Sequence, residues 1–146
     1  MKTVILYYTF GGATKKEAER LGEELSASVV RVREKRSRGV LGAFLPGCPQ
    51  AMHRKATAIL PLDVKLEEHE RIVIGAPVWA AHPAPAFNTI VNLLPAGKEV
   101  ELFFCSAGGE TQKSKAGTIA LIEKRGCRVL SYRDVQTQAQ PGKLVE

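Results

Sequence analysis

Three short stretches of this sequence hold residue types suited to gripping an anionic, planar ligand rather than to cutting a bond. The first, Thr9-Phe10-Gly11-Gly12-Ala13-Thr14, sets two hydroxyls and two glycines ahead of a helical pattern. A helix start presents backbone N–H groups and the positive end of its dipole, a natural anion site. Gly11 and Gly12 let the backbone approach a ligand closely. The Lys of G-x-x-x-x-G-K-[ST] is missing, and so is the G-x-G-x-x-G fingerprint, so the loop suits one terminal phosphate rather than a pyrophosphate. Glycine-rich turns of this kind also arise for steric reasons alone. The second stretch, residues 76–83, contains the only tryptophan, Trp79, a natural stacking platform; the structural alternative is an indole packed under its own loop. His82 follows with no carboxylate nearby in sequence to orient it. The third, Ser106-Ala107-Gly108-Gly109, offers small side chains and backbone donors that could read the carbonyl and N–H edge of a heterocycle. Cys105 ends an apolar run with no paired base and reads as a buried thiol.

These stretches need a scaffold that brings them together, and the intervening sequence describes one. Residues 3–8 are a nearly continuous apolar, β-rich run, as expected for a strand buried on both faces of a parallel sheet. Residues 14–27 follow at helical period, with Ala18, Leu21 and Leu25 on the apolar side, and Thr14 is a competent cap. Residues 29–33 alternate and place Arg31 and Arg33 on one face, a charge pattern that protects a sheet edge. Further strands are expected at 71–75, 100–104 and 128–132, and further helices at 84–94 and 113–125, the latter stopped by Gly126. Each of the three ligand-type stretches then leaves the carboxyl end of a strand. Strand alternating with helix predicts an α/β fold, a three-layer α/β/α sandwich around a five-stranded parallel sheet. Ligands in such sheets sit beyond the carboxyl ends of the strands.

The 146 residues fit one domain spanning 1–146, with an irregular insert at 34–70 and a polar tail at 136–146. No apolar run is long enough to cross a bilayer, and the N-terminus does not read as a signal peptide, so the expected location is the cytoplasm. Three cysteines without a C-x-x-C pair argue against a disulfide framework and against a metal site. The formal net charge is +6, with one basic cluster at Arg31, Arg33, Lys35, Arg36 and Arg38. No nucleic-acid motif accompanies it, so the cluster reads as a solvated face that suits acidic partners.

Tyr7-Tyr8-Thr9-Phe10-Gly11-Gly12-Ala13-Thr14 followed by an amphipathic helix resembles the phosphate loop of flavodoxins, whose pattern is roughly S/T-x-T-G-N-T. Gly75-Ala76-Pro77-Val78-Trp79 with Pro83-Ala84-Pro85-Ala86 is similar to that family's G-x-P-x-W…P-x-P-x loop, and Ser106-Ala107-Gly108-Gly109 resembles its third flavin loop. The resemblance covers about residues 2–133 and implies strand order 2-1-3-4-5 with FMN at the switch point. It implies that Thr9, Phe10, Gly11, Gly12, Ala13 and Thr14 wrap the FMN phosphate. Pro77, Val78 and Trp79 would border the isoalloxazine, with Trp79 stacked on it. Ser106, Ala107, Gly108 and Gly109 would meet the pyrimidine edge or the other ring face. Three departures stand out. Gly11 and Ala13 replace side-chain donors common in the family, each lost bond costing roughly 1.5–3 kcal/mol. Family members usually close with a helix after the fifth strand, whereas only a short polar tail follows Tyr132, so one sheet face is expected to lie open or to be covered by residues 40–54 or by a second copy in a homodimer. The chain is also basic where many flavodoxins are acidic.

The implied function is an FMN-binding electron carrier that serves redox partner proteins with acidic docking surfaces. Two alternatives stand beside it: an FMN-dependent NAD(P)H:acceptor reductase acting on a quinone-type acceptor, and a cofactor-free flavodoxin-like domain that binds or regulates. Lys113, Lys115 and His82 flank the expected cleft against Glu110, and positive charge stabilises reduced flavin. Spectroelectrochemistry of the FMN-loaded protein should therefore give a potential less negative than that of acidic flavodoxins; an equally low value refutes the charge argument.

Overall fold

The apolar runs of the sequence become the interior of a parallel sheet. In the computed structural model, which describes residues 2–137, the chain forms β1 (Thr3–Tyr7), β2 (Ser28–Arg31), β3 (Arg71–Trp79), β4 (His82–Pro83), β5 (Glu99–Ser106) and β6 (Arg128–Gln136). The long strands lie in the order β2-β1-β3-β5-β6, every pairing between them parallel. The two-residue β4 folds back antiparallel on the end of β3, so the sheet has one strand more than expected. Counted along the chain, the five long strands keep the 2-1-3-4-5 order that the flavodoxin resemblance implies.

Helices cover both faces, but unequally. On one face α1 (Ala13–Leu25) packs Ala18 against Ile5, Tyr7, Val73, Phe103 and Cys105. The other face holds the larger core. There the single turn α2 (Val40–Gly42), a π-turn over Ala43–Gly47, α3 (Cys48–Met52), α4 (Pro85–Asn92) and α5 (Lys115–Lys124) pack over Leu6, Ile72, Ile74, Leu102 and Phe104. Phe87, Ile90, Val91 and Leu94 are all buried, as the helical spacing predicts.

Several expected boundaries move. β2 stops at Arg31, and the exposed Arg33 lies beyond it. β3 continues through Trp79, so Ala76 to Trp79 is strand rather than loop. β6 runs on to Gln136, which the sequence placed in the polar tail; residues 138–146 of that tail lie outside the described residues.

Among the described residues no helix follows β6, and residues 40–54 pack on the opposite face from α1. The uncovered half of the α1 face is instead polar. Glu101 and Phe103 of β5 sit in register with Ser131 and Arg133 of β6. Ser131 Oγ donates to Glu101 (2.9 Å), while Arg133 lies over the Phe103 ring (5.9 Å) and pairs with Glu17 (3.1 Å). An open groove of about 400 Å³ remains between these residues and α1. Leu25, expected in the core, lines that groove 42% exposed because nothing packs over it.

The Phe103 ring lies directly over Gly75, where any Cβ would overlap it. The glycine that opens the second ligand-type stretch is thus required by packing. Gly75→Ala is expected to lower stability by about 1–3 kcal/mol through overpacking, read as the urea unfolding midpoint; an unchanged midpoint contradicts the packing.

Candidate functional site

β1 ends in the middle of the sheet. Bonds from Val32 N–H to Tyr7 O (2.7 Å) and from Tyr8 N–H to Gly75 O (3.0 Å) carry the pairing one step beyond it. The chain then turns sharply: the Gly12 N–H donates to Thr9 Oγ1 (3.0 Å), and Gly12 takes φ 104°, a left-handed value that favours glycine. α1 starts at Ala13 with Gly12 as its cap and no side-chain cap bond. The expected threonine cap is not used, since Thr14 lies inside the first turn and is buried. A helix start reached through glycine brings backbone N–H groups close to a ligand, an arrangement suited to an anion. Phe10, Gly11, Gly12 and Ala13 are half-buried along its rim.

The second stretch is a β-hairpin. Val78 pairs with Pro83 and Trp79 with His82. The two connecting residues, Ala80 (φ 53°) and Ala81 (φ 62°), both adopt left-handed backbone. Such turns match the strand twist but normally use Gly or Asn, so alanine here is strained. His82 Nδ1 lies 2.7 Å from the Ala80 carbonyl.

Trp79 is 2% exposed. Its ring meets Tyr8 (6.1 Å) and Phe10 (5.7 Å) edge-on, and the Arg38 guanidinium sits 5.5 Å from its centre. Gly47 presses on it closely enough that a Cβ would stand 3.0 Å from the indole. Packing beneath a loop, the structural alternative for this residue, is therefore what is observed, but the cover comes from residues 38–47 rather than from its own loop. The indole Nε1 is buried and has no hydrogen-bond partner among the described residues.

The cover rests on side chains that sequence reading treated only as part of a charge run. Arg38 and Glu34 form a nearly buried ion pair (2.9 Å). Glu34 also accepts from the Tyr8 hydroxyl (2.6 Å), while Arg38 donates to Gly42 O (2.9 Å) and Gln50 Oε1 (2.7 Å). The i,i+4 spacing of Glu34 and Arg38 was the available signal.

The third stretch turns on Ser106, whose Oγ accepts from the Gly109 N–H (2.6 Å) and more weakly from the Gly108 N–H (3.3 Å). Two backbone donors expected to face a ligand thus point inward. The loop is pinned from behind by a buried network. Thr111 donates through both Oγ1 (2.7 Å) and its N–H (3.2 Å) to Asp134, and its hydroxyl meets the Tyr132 hydroxyl (2.5 Å). Burial pushes the Tyr132 phenol above its ordinary range. Ser114 donates to the Ala81 carbonyl (2.7 Å), tying this loop to the hairpin.

The structure thus brings all three stretches to one sheet edge. Phe10 touches Trp79, and a Cβ on Gly109 would lie 3.6 Å from Val78. Cys48, Cys105 and Cys127 form no disulfide, and no His/Cys/Asp/Glu cluster among the described residues suits a metal ion. No described helix is long and apolar enough to cross a membrane.

No protein-family model and no curated protein matches this chain, but solved structures do. A flavoprotein from Lactobacillus acidophilus NCFM, crystallised in complex with FMN, is 28% identical over 91% of this chain and 92% of its own, with a TM-score of 0.74. A chain from Bacteroides eggerthii DSM 20697 reaches a TM-score of 0.80 at 18% identity over 94% of this chain and 90% of its own. Oxidised flavodoxin 1 from Bacillus cereus aligns at 15% identity over 97% and 88%, with a TM-score of 0.55. The last two likenesses concern the fold alone. The chain has the flavodoxin-like fold.

Removing Arg38 would leave the Glu34 carboxylate buried without its cation, a loss of roughly 3–5 kcal/mol, and would strip one side of Trp79. Arg38→Met is expected to lower stability and shift the single-tryptophan emission to the red. Unchanged emission from the folded variant would mean that Arg38 does not cover the indole.

Proposed function

We propose that this chain binds FMN at the carboxyl edge of its sheet and uses it to carry electrons between protein partners. The observation that carries this reading is the convergence of the three stretches beside the point where β1 and β3 part, with the glycine-capped start of α1 opening onto it. The FMN complex of the 28%-identical Lactobacillus flavoprotein supports it.

The donor set fits the phosphate end. The hydroxyls of Thr9 and Thr14 and the backbone of Phe10, Gly11, Gly12 and Ala13 hold the phosphate, and the open space around Gly12 admits it closely. Pro77, Val78 and Trp79 flank the ring on one side, and Ser106, Ala107, Gly108 and Gly109 line the other. Stacking on Trp79 requires the cover of residues 38–47 to move, and hydrogen bonds from Gly108 and Gly109 to the ring require their release from Ser106. The bound flavin supplies the electron chemistry; the residues named here bind it, orient it and exclude water. The net charge of +6 suits partners with acidic docking surfaces.

Titrating the apoprotein with FMN while following flavin and Trp79 fluorescence tests this. Saturable, stoichiometric quenching is expected. Thr9→Ala, which removes the oxygen that holds the Gly12 turn, is expected to weaken binding about five- to tenfold, the effect of one hydrogen bond. No quenching well above micromolar flavin refutes the reading and leaves a cofactor-free domain. Steady oxidation of NAD(P)H by the loaded protein favours the reductase over the carrier.

A further inference from the structure

Residues 31–55 contain seven Lys and Arg and a single Glu, a net of +6, equal to the formal charge of the whole chain. The remaining sequence is balanced. The one acid, Glu34, is turned inward onto Arg38 and Tyr8, whereas Arg31, Arg33, Lys35, Arg36 and Lys55 are exposed. The segment therefore shows solvent several cations and no acid.

The same segment carries large apolar side chains that nothing covers. Leu41 is 83% exposed, Leu45 74% and Phe44 54%, and Met52 is exposed beside them in sequence. Protruding aliphatic tips of this kind are not a core left over, because Ala43, Gly47 and Ala51 of the same turns are fully packed inward. Arg38 holds the two halves together: it bonds Glu34 on the basic side, Gly42 in the apolar turn and Gln50 in α3. The tips and the cations are thus fixed on one support, at the carboxyl edge of the sheet, over Trp79.

We propose that this surface docks on an anionic lipid bilayer, with Leu41, Phe44 and Leu45 entering the headgroup–acyl boundary and the exposed Arg and Lys residues meeting lipid phosphates. Apolar tips flanked by cations are the combination that binds such interfaces. The charge excludes a second copy of this chain as the occupant, since two such surfaces repel. An acidic protein would satisfy the cations, but it would need a socket shaped to each protruding tip, which a fluid acyl layer does not. Docking would turn the ligand edge of the sheet toward the lipid. The proposal does not depend on FMN, and the apoprotein should dock as well.

Co-sedimentation of the full chain, with and without FMN, tests it on vesicles of phosphatidylcholine alone and of equimolar phosphatidylcholine and phosphatidylglycerol. Binding is expected to the mixed vesicles only, and to weaken as salt rises. Arg33→Glu with Arg36→Glu should reduce binding tenfold or more, at roughly fivefold or more per cation altered. Leu41→Ser with Leu45→Ser, both on exposed side chains, should reduce it at least tenfold with the charge unchanged, roughly as expected from withdrawing two aliphatic side chains from the interface. Circular dichroism of each variant confirms that it is folded. Absence of binding to mixed vesicles at low salt overturns the proposal. So does binding that the serine variants leave unchanged, which would be charge adsorption only. Salt-sensitive binding of a soluble acidic redox protein through the same residues, without vesicle binding, overturns it in favour of a protein partner. Loss of FMN binding with vesicle binding intact would count against the cofactor reading alone.

Discussion

A parallel sheet must be screened from water on both faces, and the described residues hold too little helix to do so evenly. Among the described residues α1 alone covers one face, over β1 and β3, and the remaining half of that face is made tolerable by its own side chains. Glu101, Ser131 and Arg133 take the positions that a buried strand would fill with Val or Ile, and the Arg133 stem and guanidinium cover Phe103. Everything else is packed on the opposite face. There α4 and α5 are too few to close the core at its carboxyl end, and the irregular segment after β2 is drawn in to finish it. Ala43 and Ala51 are fully buried in that role. The asymmetry of the fold and the presence of a long insert over the ligand edge have one cause.

The insert packs small and aliphatic residues into the core, and its first half is also anchored by a polar pair. The Glu34–Arg38 pair is nearly buried, which is costly unless every remaining donor and acceptor is used. Here most are: the Tyr8 hydroxyl bonds Glu34, and Arg38 reaches Gly42 O and Gln50 Oε1 as well as the carboxylate. The pair thereby fixes the register between the end of β2, the turns at 40–47 and α3. It also lays a cation against the face of Trp79, a favourable contact for an indole in a site with little water.

The elements were legible because their cores are local patterns. The apolar runs at β1, β3 and β5 and the spacing of Phe87, Ile90 and Val91 are each contained within a few residues. What the sequence hid depends on distant partners. Pro77 read as a loop residue, yet β3 passes through it. By alternation its nitrogen faces the side where β1 has already ended, so no ladder bond is lost. Trp79 in a ligand-side position looked like a displayed platform; its cover comes from residues over thirty positions earlier, in the stretch with the weakest periodicity. Asp134 lies in the part of β6 beyond the expected strand, so its grip on Thr111 could not be read from a pattern. The convergence of the three stretches, by contrast, follows from topology alone once the strands are parallel.

These features bear on how a ligand enters. At the proposed phosphate end the backbone turn is already set, with Gly12 in its left-handed conformation as the cap of α1. At the ring end the donors of Gly108 and Gly109 are occupied by Ser106, and Trp79 is roofed by Arg38 and Gly47. A planar ring that claims those groups has to replace contacts the protein makes with itself, so its apparent affinity is reduced by the fraction of molecules in which the roof is open. In the proposed complex the phosphate would meet a turn that is already formed, whereas the ring would meet groups that must first be released. Since the roof also carries the exposed Leu41, Phe44 and Leu45, a partner that binds those tips more tightly in one position of the roof than in the other biases the same equilibrium. If the proposed ring site and the outer surface favour different positions of that element, their occupancies are linked, and by thermodynamic reciprocity each would change the affinity of the other by the same factor.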